Sequence, residues 1–372
     1  MHVIVDQSQL LKALSHSARV VERRNAGEIV SNVFLDAFAG GLRLKATDLD
    51  LLLTEVIPAV SKEDGKTTVS AQLFSEIVKK LSDYEQVELC LDQDKKFLII
   101  KSGVSQFKLA VMDANDFPVE EEKIFTHNFC LPASELFFLL SRCEFAISME
   151  DTRYYLTGAY FHCVEEDNKK LLRSVATDGH RLARIQIDAP EGVENMPNVI
   201  IGRKLVTELC KILAEDKEQQ VNISLSDRNI KLQINDICFV SSLVDGKFPD
   251  YNRVIPIKND KELKISNSAL KSAVDRVTVV SERGKAVKFS LTQDKLILSV
   301  SASPAGSAEE RLDVDYKDED LQIGFNARYL IDIISQINSE DIYIRLLNSE
   351  SPAVVKSPED DRAIYILMPM RC

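Results

Sequence analysis

The stretch QSQLLKALSHSARVV (residues 7–21) sets Leu10, Leu11, Leu14 and Val20 at the spacing of a one-sided helical stripe. It recurs twice. ASELFFLLSRCEFAI (133–147) aligns Ser134 and Leu136 with Ser8 and Leu10, and NSALKSAVDRVTVV (267–280) aligns Ser268 and Leu270. In each copy the Ser two residues before the first Leu is the expected N-cap. A second helix repeats as AQLFSEIVKKL (71–81), RKLVTELCKIL (203–213) and ARYLIDIISQI (327–337), with Glu76, Glu208 and Asp332 aligned. VELCLDQDKKFLIIKSG, VNISLSDRNIKLQIND and VKFSLTQDKLILSVS each read as two strands joined by a polar hairpin. Two of the units end on Phe-Pro, at Phe117-Pro118 and Phe248-Pro249. The spacing therefore predicts an α+β chain of three tandem β-rich domains with two helices each, over residues 1–122, 127–255 and 257–372.

A length of 372 residues suits two or three domains, and a hydrophobic fraction of 45% supplies their cores. The formal charge of -12 excludes a generally basic nucleic-acid binder, but not a local basic surface on an acidic body. Seven cysteines, an odd number without a CxxC pair, argue against a disulfide framework or a zinc site and read as reduced cytoplasmic thiols. The most apolar window, LFFLLSRCEFAI, is broken by Arg142 and Glu144, so neither a membrane span nor an export signal is expected.

Basic residues gather on the repeated helices or just beyond them: Lys12, Arg19, Arg23 and Arg24; Lys79 and Lys80; Arg142; Arg203, Lys204 and Lys211; Lys271, Arg276, Arg283 and Arg328. Such residues also suit an ordinary solvated face. If the copies form an arc, however, equivalent helices face the same way and their cations sum over one concave surface. That surface would touch phosphates without reading bases. No aromatic ladder accompanies them, which disfavours a platform for single strands.

LRSVATDGHRL (172–182) sets Asp, Gly, His and Arg side by side, as many active sites do; its copy LRLKATDLDLL (42–52) lacks the His-Arg pair. A hydrolase or nuclease using Asp178 with His180, or Asp48 with Asp50 on a metal, is disfavoured. The chain has five His, no nucleophile motif beside His180, and Asp pairs that do not recur across the copies. A non-catalytic protein without metal or cofactor is expected.

RYYLTGAYF (153–161), LRSVATDGHRLA (172–183), LVDGKFPDYNRVIP (243–256), IGFNARYLIDII (323–334) and YILMPMRC (365–372) together resemble the bacterial sliding clamps, the beta subunits of DNA polymerase III, over the whole chain. The resemblance implies a head-to-tail homodimer closed into a ring of six domains, with helices lining a hole that duplex DNA threads without sequence specificity. It implies a processivity subunit that tethers the polymerase III catalytic subunit, other polymerases and repair proteins. It also implies an ATP-dependent clamp loader, since no GxxxxGK[ST] motif exists here. On the family pattern Arg24, Tyr154 and Tyr155 approach DNA, with Arg203, Lys204 and Lys211 as companions; Glu150 stands where the family often has Gln.

Carried over by position, the pocket for partner peptides comprises Leu156, Thr177, Gly179, His180, Arg181, Leu182, Pro249, Arg253, Val254, Asn326, Tyr329, Met368, Pro369, Met370 and Arg371. The apolar members form a trough, the Met thioethers adapt to varied side chains, and His180 and Arg181 at the rim meet peptide carbonyls. Thr47 and Asp48 then serve only the shared turn. At the dimer joint, Phe107 and Leu109 would face Val279 and Val280, with Lys95 or Lys96 opposite Glu309 or Glu310. SERGKAV (281–287) lacks an aromatic that many members carry, and Cys372 stands where Leu is usual. The alternative is a protein-interaction scaffold that does not encircle DNA.

Overall fold

In the computed structural model, which describes residues 1–21, 29–82, 84–94, 96–118, 122–280, 286–302 and 306–371, the six helices begin where the periodicity begins. They are α1 (Gln7–Val20), α2 (Ala71–Lys79), α3 (Ala133–Glu144), α4 (Arg203–Glu215), α5 (Asn267–Thr278) and α6 (Ala327–Ile334). Their apolar stripes are buried: Leu10, Ala13 and Leu14 on α1, Leu136, Leu139 and Leu140 on α3, Leu270, Ala273 and Val274 on α5.

The caps differ from the expectation. Asp6 caps α1, its carboxylate accepting from Gln9 N at 3.0 Å, and Ser266 caps α5, its hydroxyl accepting from Ala269 N at 3.5 Å. Ser8, Ser134 and Ser268 lie inside the first turns, and Ser8 Oγ donates to the capping carboxylate at 2.6 Å. The reason is the strand before each helix. Asp6 and Ser266 are the last residues of His2–Asp6 and Lys261–Ser266, and they keep the extended backbone that a cap needs.

The strands form antiparallel sheets that cross the repeat boundaries. A twelve-stranded sheet contains Leu51–Glu63, which pairs with Gly41–Thr47 on one side and, through Leu51↔Ser241 to Glu55↔Ile237, with Ile237–Ser242 of the second copy on the other. An eight-stranded sheet joins the second copy to the third, where Arg181–Asp188 pairs with Ala363–Leu367 from Arg181↔Leu367 to Ile185↔Ala363. A four-stranded sheet runs in the order Gly306–Asp313, Lys295–Ala302, Ala286–Thr292, Leu321–Asn326.

Because each seam is a hydrogen-bonded sheet, packing divides the chain into two compact units and not into its three copies. One holds residues 1–136, 190–197 and 208–243, the other 137–189, 198–207 and 244–372. The second copy is shared between them. Among the described residues His127–Pro132, Val199–Gly202, Lys261–Ser266 and Leu321–Asn326 each end a sheet, and two further edges are open. In Ser105–Met112 only Val111 and Met112 pair with Gly65–Ser70, and Gly306–Asp313 ends its sheet.

Candidate functional site

The turn between Lys169–Thr177 and Arg181–Asp188 is built by its own side chains. Thr177 Oγ1 accepts from Gly179 N at 3.1 Å, and Asp178 Oδ1 accepts from His180 N at 2.9 Å and Arg181 N at 3.0 Å. The copy in the first repeat has the same bonds: Thr47 Oγ1 from Leu49 N at 3.0 Å, Asp48 Oδ1 from Asp50 N at 3.1 Å and Leu51 N at 2.8 Å. Gly179 and Leu49 both take left-handed backbone, φ +88° and +84°. Backbone alone therefore does not demand glycine. At Gly179 a Cβ would stand 2.7 Å from Arg153 Nη1, so a side chain there would have to displace the end of that arginine. Arg153 in turn donates to Asp178 O at 3.0 Å and to Glu150 Oε2 at 2.9 Å.

Arg181 is engaged within the protein. Its guanidinium donates to Asp178 Oδ2 at 3.0 Å, to Phe145 O at 2.6 Å and to Asp332 on α6, and it lies 4.4 Å from the Tyr329 ring centroid and 4.9 Å from that of Phe145. The side chain is 10% exposed. Expected as a rim donor to a ligand, it serves as a tie between three elements. Asp332, Phe145 and Arg153 were not among the expected site residues. A signal for Asp332 existed in its alignment with Glu208, since Glu208 likewise receives a distant arginine, Arg19, at 2.6 Å. The acid at this point of the second helix receives an arginine in the second and third copies, whereas Glu76 in the first accepts from Gln72 Nε2 at 2.7 Å.

His180 is exposed, with its ring 5.9 Å from that of Tyr329. The terminal segment is laid alongside: Met368 N donates to His180 O at 2.9 Å and Met370 N to Gly324 O at 2.8 Å. Asn326 caps α6, accepting from Arg328 N at 3.0 Å, and so sets Tyr329. Two cavities result. One of about 850 Å³ includes His180, Arg181, Tyr329, Met149, Arg203 and Arg328 in its lining; one of about 610 Å³ includes Pro369, Met370, Arg371, Lys288, Gln322 and Glu350. Leu156 and Leu182, 4% and 2% exposed, lie in one core with Val175, Phe248, Tyr251 and Ile366. Pro249, Arg253 and Val254 are exposed; the last two stand on the helical turn Tyr251–Val254, capped by Asp250, which accepts from Asn252 N at 3.3 Å.

Of the expected DNA contacts, Tyr154 is 54% exposed, while Tyr155 is half-buried against the core just described. Arg203, at the start of α4, is half-buried, with Nη1 buried and unpartnered among the described residues. Lys204 is half-buried, and Lys211 Nζ lies 2.7 Å from Glu208 Oε1, so much of its charge is already offset. Arg24 lies outside the described residues, as do Lys95, Ser281 to Lys285 and Cys372.

At the expected joint, Val279 is 82% exposed at the end of α5 and Val280 is half-buried. Phe107 is half-buried and Leu109 is buried within its own unit. Glu310 is held by Arg276, and Glu309 lies 3.1 Å from Arg311. Among the described residues no group of three or more His, Cys, Asp or Glu is disposed to hold a metal, and no helix is long and apolar enough to cross a membrane.

Family models described as the N-terminal, central and C-terminal domains of the DNA polymerase III beta subunit match residues 1–121, 130–250 and 252–371. The chain is 40% identical over 372 residues to the beta sliding clamp of Caulobacter vibrioides and 36% identical over 373 residues to that of Pseudomonas aeruginosa, covering 100% of each pair. Among solved structures, a sliding clamp (DNA polymerase III subunit beta) from Bartonella birtlesii bound to griselimycin superposes with a TM-score of 0.96 at 45% identity, over 100% of both chains.

Proposed function

Because the chain belongs to the DNA polymerase III beta subunit family, the bacterial sliding clamps, we propose that two copies close head to tail into a ring of six domains around duplex DNA. The protein is a processivity clamp of DNA polymerase III. The observation that carries the ring is the pattern of seams. Both junctions inside the chain are made by antiparallel strand pairing, and two of the chain's open edges, at residues 105–110 in the first copy and Gly306–Asp313 in the third, can make a third junction of the same kind with another copy. Val279, Val280, Phe107 and Leu109 would flank that joint. The domains are taken as residues 1–122, 127–255 and 257–372.

Encirclement needs only weak adhesion. Nonspecific phosphate contacts with a Kd of roughly 10⁻⁴ to 10⁻⁶ M would let the ring slide, and the -12 balance limits sticking elsewhere. Tyr154, Tyr155, Arg203, Lys204, Lys211 and Arg24 are the proposed contacts to DNA. The pocket around Leu156, Leu182, His180 and the terminal segment takes short peptides of the polymerase III catalytic subunit, other polymerases and repair proteins. The clamp is non-catalytic and cytoplasmic, and an ATP-dependent loader opens it.

Retention on DNA tests the ring. Once loaded, the protein is expected to stay on nicked circles and to run off linear DNA with free ends. Equal retention on both would restore the scaffold that never encircles DNA. Removing residues 368–372 is expected to weaken capture of a partner peptide at least about tenfold while the dimer persists in sedimentation. Dissociation into monomers would contradict the assignment of this tail to the pocket.

A further inference from the structure

Leu156 and Leu182 share their core with Phe248 and Tyr251, which flank and begin the segment bearing Pro249, Arg253 and Val254. Both aromatics reach the strand Gly158–Glu166, which presents Tyr160 and His162 on one face because they are two residues apart. Phe248 stacks on Tyr160, centroids 4.8 Å apart and planes 2° apart, and Tyr160 stacks on His162 at 4.4 Å and 27°. The Tyr251 hydroxyl lies 3.2 Å from His162 Nε2 and 3.4 Å from Arg173 Nη1. Arg173 is 2% exposed and also donates to Gln186 Oε1 at 2.8 Å and to Glu166.

Donor counting fixes the Arg173 end of this chain, and the tautomer of His162 sets the other. A guanidinium only donates, so the Tyr251 oxygen accepts from Arg173; its own hydrogen is then free to go to His162 Nε2 when the neutral imidazole carries its proton on Nδ1. Burial of His162 and the charge of Arg173 both favour that neutral form. Above this network the turn Tyr251–Val254 is too short to hold its own geometry. Its local ties are the Asp250 cap and the Arg253–Asp250 pair at 3.1 Å.

We propose that the Arg173–Tyr251–His162 chain is a positioning device that sets the Pro249–Val254 rim, and through it the affinity of the pocket for partner peptides. The inference rests on the reading of that pocket given above. Phenylalanine at 251 would fill the same space without a hydroxyl; the hydroxyl is what registers the rim against strands Gly158–Glu166 and Lys169–Thr177.

The test uses the full-length dimer and a fluorescent peptide copying the tail of the polymerase III catalytic subunit. Tyr251→Phe is expected to weaken binding about fivefold, mainly through faster release. His162→Leu is expected to do the same, and the double variant to be no weaker than either single one, since both cut one link. His162→Gln, whose amide oxygen can accept in place of Nε2, should stay within about twofold of wild type. A purely structural role would lower the unfolding midpoints yet leave peptide release unchanged in the folded variants. Binding by Tyr251→Phe within about twofold of wild type, or additive losses in the double variant, overturns the proposal. If His162→Leu does not fold, Tyr251→Phe and His162→Gln decide the matter alone. A wild-type dimer that ignores the peptide would overturn the pocket itself, whereas one that binds it with Tyr251→Phe unaffected overturns only the positioning.

Discussion

Arg181→Ala is expected to lower the unfolding free energy by about 3 kcal/mol, measured as a shift of the urea midpoint at unchanged slope. The guanidinium is 10% exposed and is shared by Asp178, 17% exposed, and Asp332, 32% exposed. Its loss leaves two carboxylates near one another without a cation and leaves Phe145 O without its donor. The exposure of Asp332 lets water recover part of the loss, which is why the figure sits at the low end for breaking a buried pair. Asp332→Asn in the alanine background should restore part of the stability by removing one stranded charge. A drop below about 1 kcal/mol would mean that the tie is not structural. Because Arg181 is held against Tyr329 and starts the strand paired with Ala363–Leu367, the same variant should also weaken peptide capture.

Acidification is expected to destabilise the second unit by about 2 kcal/mol between pH 7 and pH 5, with most of that loss absent from His162→Gln. Burial, and then the charge of Arg173, push the His162 imidazole from its ordinary 6.5 down to about 4. The sign follows from linkage. Below pH 6.5 the unfolded chain takes up a proton that the folded chain refuses, so stability falls with pH through that window and levels off below about 4. The groups facing the ring are Tyr160 from its own strand, Arg173 from the neighbouring strand and Tyr251 from the turn, with Glu166 beyond Arg173. None of these is an acid in contact with the ring that would hold the imidazolium. Carboxylates held below their ordinary range, such as Glu310 by Arg276 and Asp360 by Arg362, lose their contribution only at lower pH, as they protonate. Equal pH dependence in wild type and His162→Gln would assign the loss to other groups.

The repeats were legible in the order of residues because they are local. A helix stripe such as Leu10–Leu14 or Leu270–Val274 is written at fixed spacing, and so is a Thr-Asp turn, which recurs at Thr47 and Thr177 with the same hydrogen bonds. The pocket residues came from resemblance and not from spacing. Nothing in the spacing places Met368 beside His180, nearly two hundred positions away.

The misplaced caps have the same origin. Ser8 and Ser268 carry the right chemistry, yet a cap is defined by where the preceding strand releases the chain, and that is set by pairing partners far along it. By itself, then, the order of residues determined how many copies there are, what each is made of and which residue types each turn requires. The tertiary structure alone decided that neighbouring copies fuse through shared sheets, that Arg181 is spent on Asp332 and Asp178, and that Tyr251 finds Arg173 and His162. Short-range periodicity is a property of one segment, whereas strand pairing and the satisfaction of buried polar groups belong to pairs of segments, whose meeting only the folded chain fixes.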